Sequence, residues 1–224
     1  MARGTGGAVA VKLYLASYRI ADLKVLTDLI GKPAAKVRVA LIPNAKDYYA
    51  FRARRVKIRF VEEYLRALDF TVKVVDLNDD RTPAALAEEL KTFNLIWVMG
   101  GNTFCLREAM ARSGFDRVIH DVLDAGVTYA GESAGACVAG TDLHGVELAD
   151  DPEFAERVLW KGLNLSAHYF MPHVDNPDFG PLVQEAIDSR TDDPTMVLLN
   201  DNQAWVVNGA DEWKITGVKP EDKD

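Results

Sequence analysis

Short apolar runs alternate with amphipathic segments over the first 140 residues of the chain. The apolar runs are continuous, which is typical of strands that are covered on both faces of a parallel sheet. The pattern predicts strands at 11–16, 37–43, 71–77, 95–99 and 127–130. It predicts helices at 20–30 and 51–68, after Thr82-Pro83, and in two short pieces between 104 and 125. Repeated strand–helix alternation favours an α/β fold with a mostly parallel sheet and helices on both faces.

The last third of the chain has a different pattern. Strands are predicted at 163–174, 196–200, 204–208 and 212–216, with short turns between them. We expect these segments to add strands, some of them antiparallel, to one side of the sheet. Residues 1–10 are interpreted as a flexible lead-in, and 11–224 as a single three-layer α/β domain.

The composition is ordinary for a globular protein and argues against several classes of function. Of the 224 residues, 48% are hydrophobic and 27% are charged, and the net charge is -8. That charge argues against nucleic acid or an anionic membrane as the main partner, although 52–59 is a basic block. No apolar stretch approaches the roughly 18 residues of a membrane span. Cys105 and Cys137 have neither disulfide-framework nor metal-site spacing, so we expect a cytoplasmic, reduced setting. We also expect a monomer or a homodimer.

The most informative segment is Gly131-Glu132-Ser133-Ala134-Gly135, between an apolar run and small residues that can start a helix. A serine in G-x-S-x-G between strand and helix is the pattern of a nucleophile elbow. The glycines allow a tight turn, and the turn exposes the serine hydroxyl beyond the sheet edge. Ser133 is therefore the candidate nucleophile, and a purely structural turn is the alternative.

A serine nucleophile needs a nearby base and a group that orients the base. His173 follows Pro172 at the end of a predicted strand and leads into a sharp turn, and functional groups gather beyond such strand ends in open parallel sheets. His120 lies in a predicted helix, His144 in a loop, and His168 within an apolar run. These positions make His173 the candidate base.

The carboxylate that orients the histidine is harder to locate. We favour Glu147, because its neighbours Val146 and Leu148 are apolar and predict a partly buried carboxylate. Other acids remain open: Asp142, Asp150 and Asp151 in the same loop, and Asp175 beside His173.

Backbone N–H groups are needed to stabilise the negative charge that develops during acyl transfer. Ala134, at the start of the elbow helix, is one candidate donor, because the first amides of a helix are free. Gly100-Gly101, at the end of the strand 95–99, is the second.

Three segments in order resemble the serine peptidase family of dipeptidase E (alpha-aspartyl dipeptidase) and cyanophycinase. They are Gly100-Gly101-Asn102-Thr103-Phe104, Gly131-Glu132-Ser133-Ala134-Gly135-Ala136 and Pro172-His173. The similarity extends from the first predicted strand to about residue 204. It implies a fold like class I glutamine amidotransferase domains, with Ser133 as nucleophile and His173 as base. It also implies an oxyanion hole from the N–H groups of Gly101 and Ala134, and aligns Glu147 with the family's acid.

The resemblance implies a serine-type hydrolase that cleaves small peptides through a Ser-His-Glu triad and an acyl-enzyme, without metal or organic cofactor. We expect Gly100, Asn102 and Thr103 to bind the substrate. Recognition of Asp-Xaa dipeptides would need a cation for the aspartate side chain, and the block 52–59 is one source.

Two other functions stay open. One is a non-catalytic protein of the same fold that binds small molecules or peptides. The other is metal-dependent hydrolysis through His168, His173 and Asp175. The metal reading is disfavoured, because two histidines five residues apart on one extended strand point to opposite faces.

Overall fold

The computed structural model describes residues 10–190 and 193–217. Residues 1–9 of the predicted lead-in, and 191–192 and 218–224 of the predicted domain, lie outside the described residues. The strands are β1 Lys12–Ala16, β2 Arg38–Ile42, β3 Thr71–Val74, β4 Leu95–Val98, β5 Thr128–Glu132, β6 Tyr169–Met171, β7 Met196–Leu198, β8 Gln203–Asn208 and β9 Asp211–Thr216. The helices are α1 Leu23–Ile30, α2 Phe51–Ala67, α3 Pro83–Leu90, α4 Thr103–Ser113, α5 Phe115–Asp124, α6 Ala134–Cys137 and α7 Gly180–Asp188.

Within the described residues, seven strands form one sheet in the order β3-β2-β4-β5-β1-β8-β9. The strands β1 to β5 are mutually parallel, while β8 runs antiparallel to β1 and β9 antiparallel to β8. The predicted α/β class, with a mostly parallel sheet and antiparallel C-terminal strands on one side, is confirmed.

Successive residues of the central strands pack into two separate hydrophobic cores. In β4, Ile96 and Val98 contact the core that includes α3, α4 and α5, whereas Leu95 and Trp97 contact the core that includes α1 and α2. This alternation follows from the side-chain period of a strand and places helices on both faces. The central strands are buried on both sides, which accounts for their continuous apolar sequences.

The helices begin and end at residues that satisfy their free backbone groups. Thr82 Oγ1 accepts a hydrogen bond from Ala85 N before Pro83, as predicted for α3. Asn102 Oδ1 caps α4 by accepting from Cys105 N, and Gly31 ends α1 in the left-handed region. These caps stabilise each helix by about 1 kcal/mol and set where each strand-to-helix loop turns.

The prediction of one strand over 163–174 is wrong. Only Tyr169–Met171 is a strand, and the apolar residues before it lie along the segment after α6, where Leu163 N donates to Val138 O. Asn164 has a positive φ of 54°, which breaks the extended conformation. The helix α7 has no counterpart among the predicted elements.

The strands β6 and β7 do not join the main sheet but form a separate parallel pair. This pair packs with α7 and the loop after α6 around a third apolar cluster that includes Phe104, Tyr169 and Val183. The carboxyl ends of β6 and β7 therefore lie beside the carboxyl ends of β4 and β5. In the described part of the chain, no helix combines the length and the apolar character that crossing a membrane requires.

Candidate active site

Ser133 lies in a strained turn between β5 and α6. Its backbone has φ 51° and ψ -115°, a conformation that costs free energy in a residue with a side chain. A Cβ on Gly131 would lie 2.2 Å from Gly135 O, and a Cβ on Gly135 would lie 2.4 Å from Val98 O. Both glycines of the G-x-S-x-G segment are therefore required by close backbone packing, as in a nucleophile elbow.

His173 follows β6 and hydrogen-bonds to Ser133. Its Nε2 lies 2.8 Å from Ser133 Oγ. The backbone of His173 has a positive φ of 64°, and its N–H donates to Ser17 Oγ at 2.8 Å. The imidazole stacks against the ring of Phe179, with centroids 5.1 Å apart. These contacts fix the ring in contact with the serine.

The carboxylate on the other side of His173 belongs to Asp201, which follows β7. Asp201 Oδ1 lies 2.6 Å from His173 Nδ1. Ser17 Oγ donates to Asp201 Oδ1 at 3.1 Å, and Asn176 Nδ2 donates to Asp201 Oδ2 at 2.7 Å. Burial alone would raise the pKa of Asp201, but these hydrogen bonds and the His173 charge bring it below its usual range. The carboxylate is therefore held in its charged form.

The structure does not bring Glu147 to His173, so the predicted acid is corrected. Glu147 Oε2 accepts a hydrogen bond from Gly145 N within its own loop. The loop acids Asp142 and Asp151 are also engaged elsewhere, with His144 and Arg190 and with Glu153 N respectively.

Asp201 is not among the predicted acids, which all lie before His173 in the chain or beside it. One sequence signal points to it. Asp201 directly follows a predicted strand, 196–200, and functional groups gather beyond such strand ends, as at His173.

The two predicted oxyanion-hole donors border the serine. A Cβ on Gly100 would meet Ser133 Oγ at 3.5 Å, so the Gly100-Gly101 segment passes close to the nucleophile. Gly101 has φ 145°, and a Cβ there would lie 2.2 Å from Ala45 O, so only glycine fits. Neither Gly101 N–H nor Ala134 N–H has an acceptor within the described part of the chain. Both donors can therefore serve a bound anion.

The residues predicted to bind substrate have separate surroundings. Thr103 lines the cavity beside Ser133. Asn102 does not, because its amide caps α4 and donates to Asp151 O. Gly100 N–H donates to the Glu132 carboxylate at 3.3 Å.

A small cavity of about 70 Å³ adjoins Ser133 and His173. Most of its wall is apolar, with Met171, Phe179 and Val183 among the contributing side chains. Asp150 is the carboxylate among the described lining residues, and these residues include no lysine or arginine. Burial raises the pKa of Asp150, while hydrogen bonds from Thr103 and the charges of His173 and Lys46 oppose that rise.

Two more charged groups lie close to the same strand ends. Glu132 is 7% exposed, and its Oε2 is buried without a hydrogen-bond partner among the described residues. Burial raises the pKa of Glu132 despite the nearby charges of Arg19 and Lys46. Burial lowers the pKa of Lys46, while Glu132 and Asp150 favour its charged form. Lys46 forms no salt bridge within the described part of the chain.

The basic block 52–59 is not at this cavity. Arg54 is paired with Asp47 and Asp76, and Arg59 is paired with Glu63. The remaining arginines line a groove on the outer side of α2, separate from Ser133. The structure therefore does not support the block as the cation for a substrate bound at Ser133.

The histidines considered as metal ligands have different partners. His168 Nε2 lies 2.6 Å from Glu212, while His173 contacts Ser133 and Asp201. They do not share a ligand set. Over the ranges 10–190 and 193–217, no three His, Cys, Asp or Glu side chains are grouped as a metal site would require.

Comparison with known sequences identifies the family. The model described as peptidase family S51 matches residues 16–215. An uncharacterized peptidase of Pasteurella multocida is 29% identical over 200 residues, which cover 88% of this chain and 93% of the relative. An uncharacterized peptidase of Listeria innocua is 33% identical over 132 residues, which cover 58% of this chain and 62% of the relative.

Other relatives carry more specific names. Peptidase E of Pasteurella multocida is 28% identical over 66% of this chain and 56% of its own length. A Drosophila melanogaster protein named as a probable alpha-aspartyl dipeptidase is 29% identical over 62% of this chain and 58% of its own length.

A solved structure supports the same fold. A Listeria monocytogenes protein provisionally described as a peptidase E superposes with a TM-score of 0.81 at 22% identity. The superposition covers 93% of this chain and 99% of that protein. Because the family match also spans most of the sequence, the chain belongs to peptidase family S51 and is a peptidase.

Proposed function

We propose that this peptidase hydrolyses small peptides through an acyl-enzyme, with Ser133 as nucleophile, His173 as general base and Asp201 as the orienting carboxylate. The observation that carries the proposal is the chain of two short hydrogen bonds, 2.8 Å from Ser133 Oγ to His173 Nε2 and 2.6 Å from His173 Nδ1 to Asp201. In this arrangement Asp201 fixes the imidazole tautomer and stabilises the imidazolium that forms during the reaction.

The acylation step begins with attack of Ser133 Oγ on the scissile carbonyl carbon while His173 Nε2 accepts the hydroxyl proton. The carbonyl oxygen becomes an anion that accepts hydrogen bonds from Gly101 N–H and Ala134 N–H. His173 then gives its proton to the leaving amine as the C–N bond breaks. A water molecule, activated by His173, then attacks the acyl-enzyme carbonyl carbon by the same steps. This releases the carboxylic acid product and regenerates Ser133.

The name of the Drosophila relative, a probable alpha-aspartyl dipeptidase, supports dipeptides as substrates, with Asp-Xaa as the first class to screen. Lys46 is the cation we propose for a substrate carboxylate, in place of the α2 arginines. It follows Ala45, whose carbonyl packs against Gly101, and it forms no salt bridge among the described residues. An ammonium that is half buried without a bound anion is suited to take one from a ligand.

The test is fluorophosphonate labelling with intact-mass readout on wild type, Ser133→Ala and Ser166→Ala. Ser166 is also a buried serine, but it lies outside the hydrogen-bonded set and is the matched control. We expect one adduct on wild type and on Ser166→Ala, and none on Ser133→Ala. Hydrolysis of a dipeptide by Ser133→Ala should fall by about 10⁴-fold or more.

A folded wild type that takes up no adduct and hydrolyses no dipeptide would contradict the proposal. That result would favour the alternative, a binding protein built on the same fold. The convergence of Ser133, His173 and Asp201 gives that alternative no support of its own.

A further inference from the structure

Four consecutive backbone N–H groups, at 99–102, follow the strand β4. Three of them donate to acceptors within the protein, namely Ile42 O for Met99 (3.0 Å), Glu132 Oε1 for Gly100 (3.3 Å) and Ala45 O for Asn102 (2.8 Å). The N–H of Gly101 has no acceptor among the described residues, and it is the group proposed above for the oxyanion hole. The protein therefore fixes this segment on both sides of the Gly101 N–H group.

One of these three acceptors is a side chain, and it belongs to the elbow. Glu132 is the last residue of β5 and immediately precedes Ser133. The backbone pairing of β4 with β5 ends with the pair Val98 and Gly131. The Glu132 carboxylate thus continues the connection between the two strand ends where the backbone ladder stops. A side chain on the turn of the nucleophile thereby holds the loop that carries the second oxyanion donor.

The loop needs this connection because glycine leaves its backbone free to turn. Neither Gly100 nor Gly101 has a side chain, so the peptide unit between them can rotate at small cost. Such a rotation would aim Gly101 N–H away from the oxyanion, and a donor must lie about 2.7–3.1 Å from that oxygen. A Cβ on Gly100 would lie 2.9 Å from Ser133 Cβ, so the loop directly abuts the nucleophile. A small displacement of the loop therefore changes the hydrogen bond to the oxyanion.

The surroundings of the Glu132 carboxylate disfavour its charge. Glu132 is buried, and its second oxygen, Oε2, has no hydrogen-bond partner among the described residues. Burial raises its pKa despite the nearby charges of Arg19 and Lys46. A buried acid that costs stability beside the reacting atoms is typical of a functional site, where activity and stability conflict.

Resting on the hydrolase proposed above, we propose that Glu132 is a positioning residue for the oxyanion hole. Its Oε1 holds Gly100 N–H, and this contact keeps the next N–H, that of Gly101, directed at the carbonyl oxygen of the substrate. Glu132 is not among the residues that line the cavity beside Ser133, so it acts through the loop. The variable second position of G-x-S-x-G thus couples the geometry of the donor loop to that of the nucleophile.

Two substitutions separate the reach of this side chain from its charge. Glu132→Gln keeps the length and an oxygen acceptor but removes the charge. Glu132→Asp keeps the charge but is one methylene shorter, so its carboxylate does not reach Gly100 N–H. The probe is a fluorophosphonate, because its P–O oxygen occupies the oxyanion hole and no identified substrate is needed. We expect the second-order rate constant for labelling of Ser133 to stay within about 3-fold in Glu132→Gln and to fall roughly 10- to 100-fold in Glu132→Asp.

Further variants and readouts separate positioning from general packing. Glu132→Met has a similar length and no acceptor, so it should behave like Glu132→Asp and replaces it if that variant does not fold. Thr128→Val changes another buried polar residue of β5, whose Oγ1 has no hydrogen-bond partner among the described residues, and should be labelled as fast as wild type. With Asp-Ala as substrate, kcat should follow the labelling rate while KM stays unchanged. Hydrogen exchange of the Gly100 amide should be faster in Glu132→Asp and Glu132→Met but not in Glu132→Gln.

Three results would overturn the assignment. The first is labelling of Glu132→Asp and Glu132→Met at the wild-type rate. The second is an equal loss in all Glu132 variants, or a loss in Glu132→Gln alone, because the charge and not the reach would then matter. The third is an equal loss in Thr128→Val, which would attribute the effect to the packing of β5.

The two proposals fail in different ways. A folded wild type that takes up no adduct refutes the hydrolase. Exchange of the Gly100 amide then decides whether Glu132 holds the loop, and unchanged exchange in Glu132→Asp refutes that contact as well. A wild type that is labelled, with Glu132→Asp labelled equally fast, refutes the role of Glu132 and leaves the hydrolase.

Discussion

Asp201 and Asp150 both lie beside the Ser133–His173 pair, and their surroundings are opposite. Asp201 accepts hydrogen bonds from His173, Ser17 and Asn176, and its pKa is lowered. Asp150 is bonded to Thr103 through one oxygen, and burial raises its pKa. Asp201 therefore has donors on both of its oxygens, whereas among the described residues Asp150 has donors on Oδ2 alone.

This difference separates a carboxylate whose two oxygens are both bonded by the protein from one that has an oxygen unused by the described residues. A carboxylate with its full set of donors is ionised before substrate arrives and contributes to the rate of the chemical step. A buried carboxylate with one unused oxygen can still accept a hydrogen bond from a group that enters the cavity. Substitutions on the two sides should therefore change different kinetic constants.

The largest effect on the Asp201 side is expected from Asp201→Asn. Asparagine has no negative charge, and its NH₂ group can donate to His173 Nδ1 and hold the wrong tautomer, so kcat should fall by about 10⁴-fold with little change in KM. Steady-state kinetics on a cleaved dipeptide measure this. Glu147→Gln is the matched control and should keep kcat within about 2-fold, because the Glu147 carboxylate accepts its hydrogen bond from Gly145 N in its own loop and not from His173. A larger loss in Glu147→Gln than in Asp201→Asn would reverse our assignment of the acid.

A smaller loss of kcat is expected from replacing Ser17, the serine that is hydrogen-bonded to both His173 and Asp201. Ser17 Oγ accepts from His173 N–H and donates to Asp201, and Ser17 is fully buried. Ser17→Ala should lower kcat roughly 10-fold at unchanged KM, since it leaves the triad in place but loosens it. Ser166→Ala, which changes a buried serine elsewhere, should leave both constants unchanged. If both variants lose activity equally, a general packing effect explains the loss.

On the side of Asp150, a change at Lys46 should act on substrate affinity. Lys46→Met keeps the apolar stem and removes the ammonium, so KM for Asp-Ala should rise roughly 10-fold while kcat changes little. The constants for Ala-Ala should stay within about 2-fold, because that substrate has no side-chain carboxylate. Arg55→Met, in the groove on α2, provides the control. An equal rise in KM for both dipeptides would separate Lys46 from recognition of the aspartate side chain.

The smallest expected effect is on thermal stability. It concerns Glu132, a buried carboxylate whose ionisation destabilises the folded state. Burial raises the pKa of Glu132, so its ionised form destabilises the folded state above the unfolded pKa of about 4.3. That penalty is absent below this pH, where both states are protonated. Glu132→Gln should therefore raise Tm at pH 8 by roughly 2–4 °C, and the two proteins should converge below about pH 4.

Thermal unfolding at several pH values measures this difference. The exposed Glu185→Gln should give no such pH-dependent change. A lower Tm for Glu132→Gln at pH 8 would mean that the charges of Arg19 and Lys46 outweigh the burial of Glu132.

Much of the fold and part of the site followed from local sequence. Continuous apolar runs predicted the parallel strands, Thr82-Pro83 predicted the start of α3, and G-x-S-x-G predicted the turn at Ser133. Those features depend on residues close together in the chain, so a linear pattern contains them.

The Asp201 contact depends on tertiary pairing, and a linear pattern does not contain it. His173 and Asp201 meet because β6 and β7 pair in parallel, in register from Tyr169 with Met196. No property of residues 163–174 reveals that partner. The helix α7 was predictable, since Pro181 lies in its first turn and Val183 and Ala186 give one buried face of helical period.

The separate β6–β7 pair means that the proposed catalytic groups belong to two substructures. The nucleophile is held by the main sheet, while His173 and Asp201 leave the ends of two neighbouring strands that are hydrogen-bonded to each other. Relative motion between the two substructures would stretch the serine–histidine contact and leave the histidine–aspartate contact unchanged. Loss of activity on mild heating would then precede unfolding of the main sheet, and the amide protons of Met171 and Leu199 would exchange with solvent before those of β4 and β5.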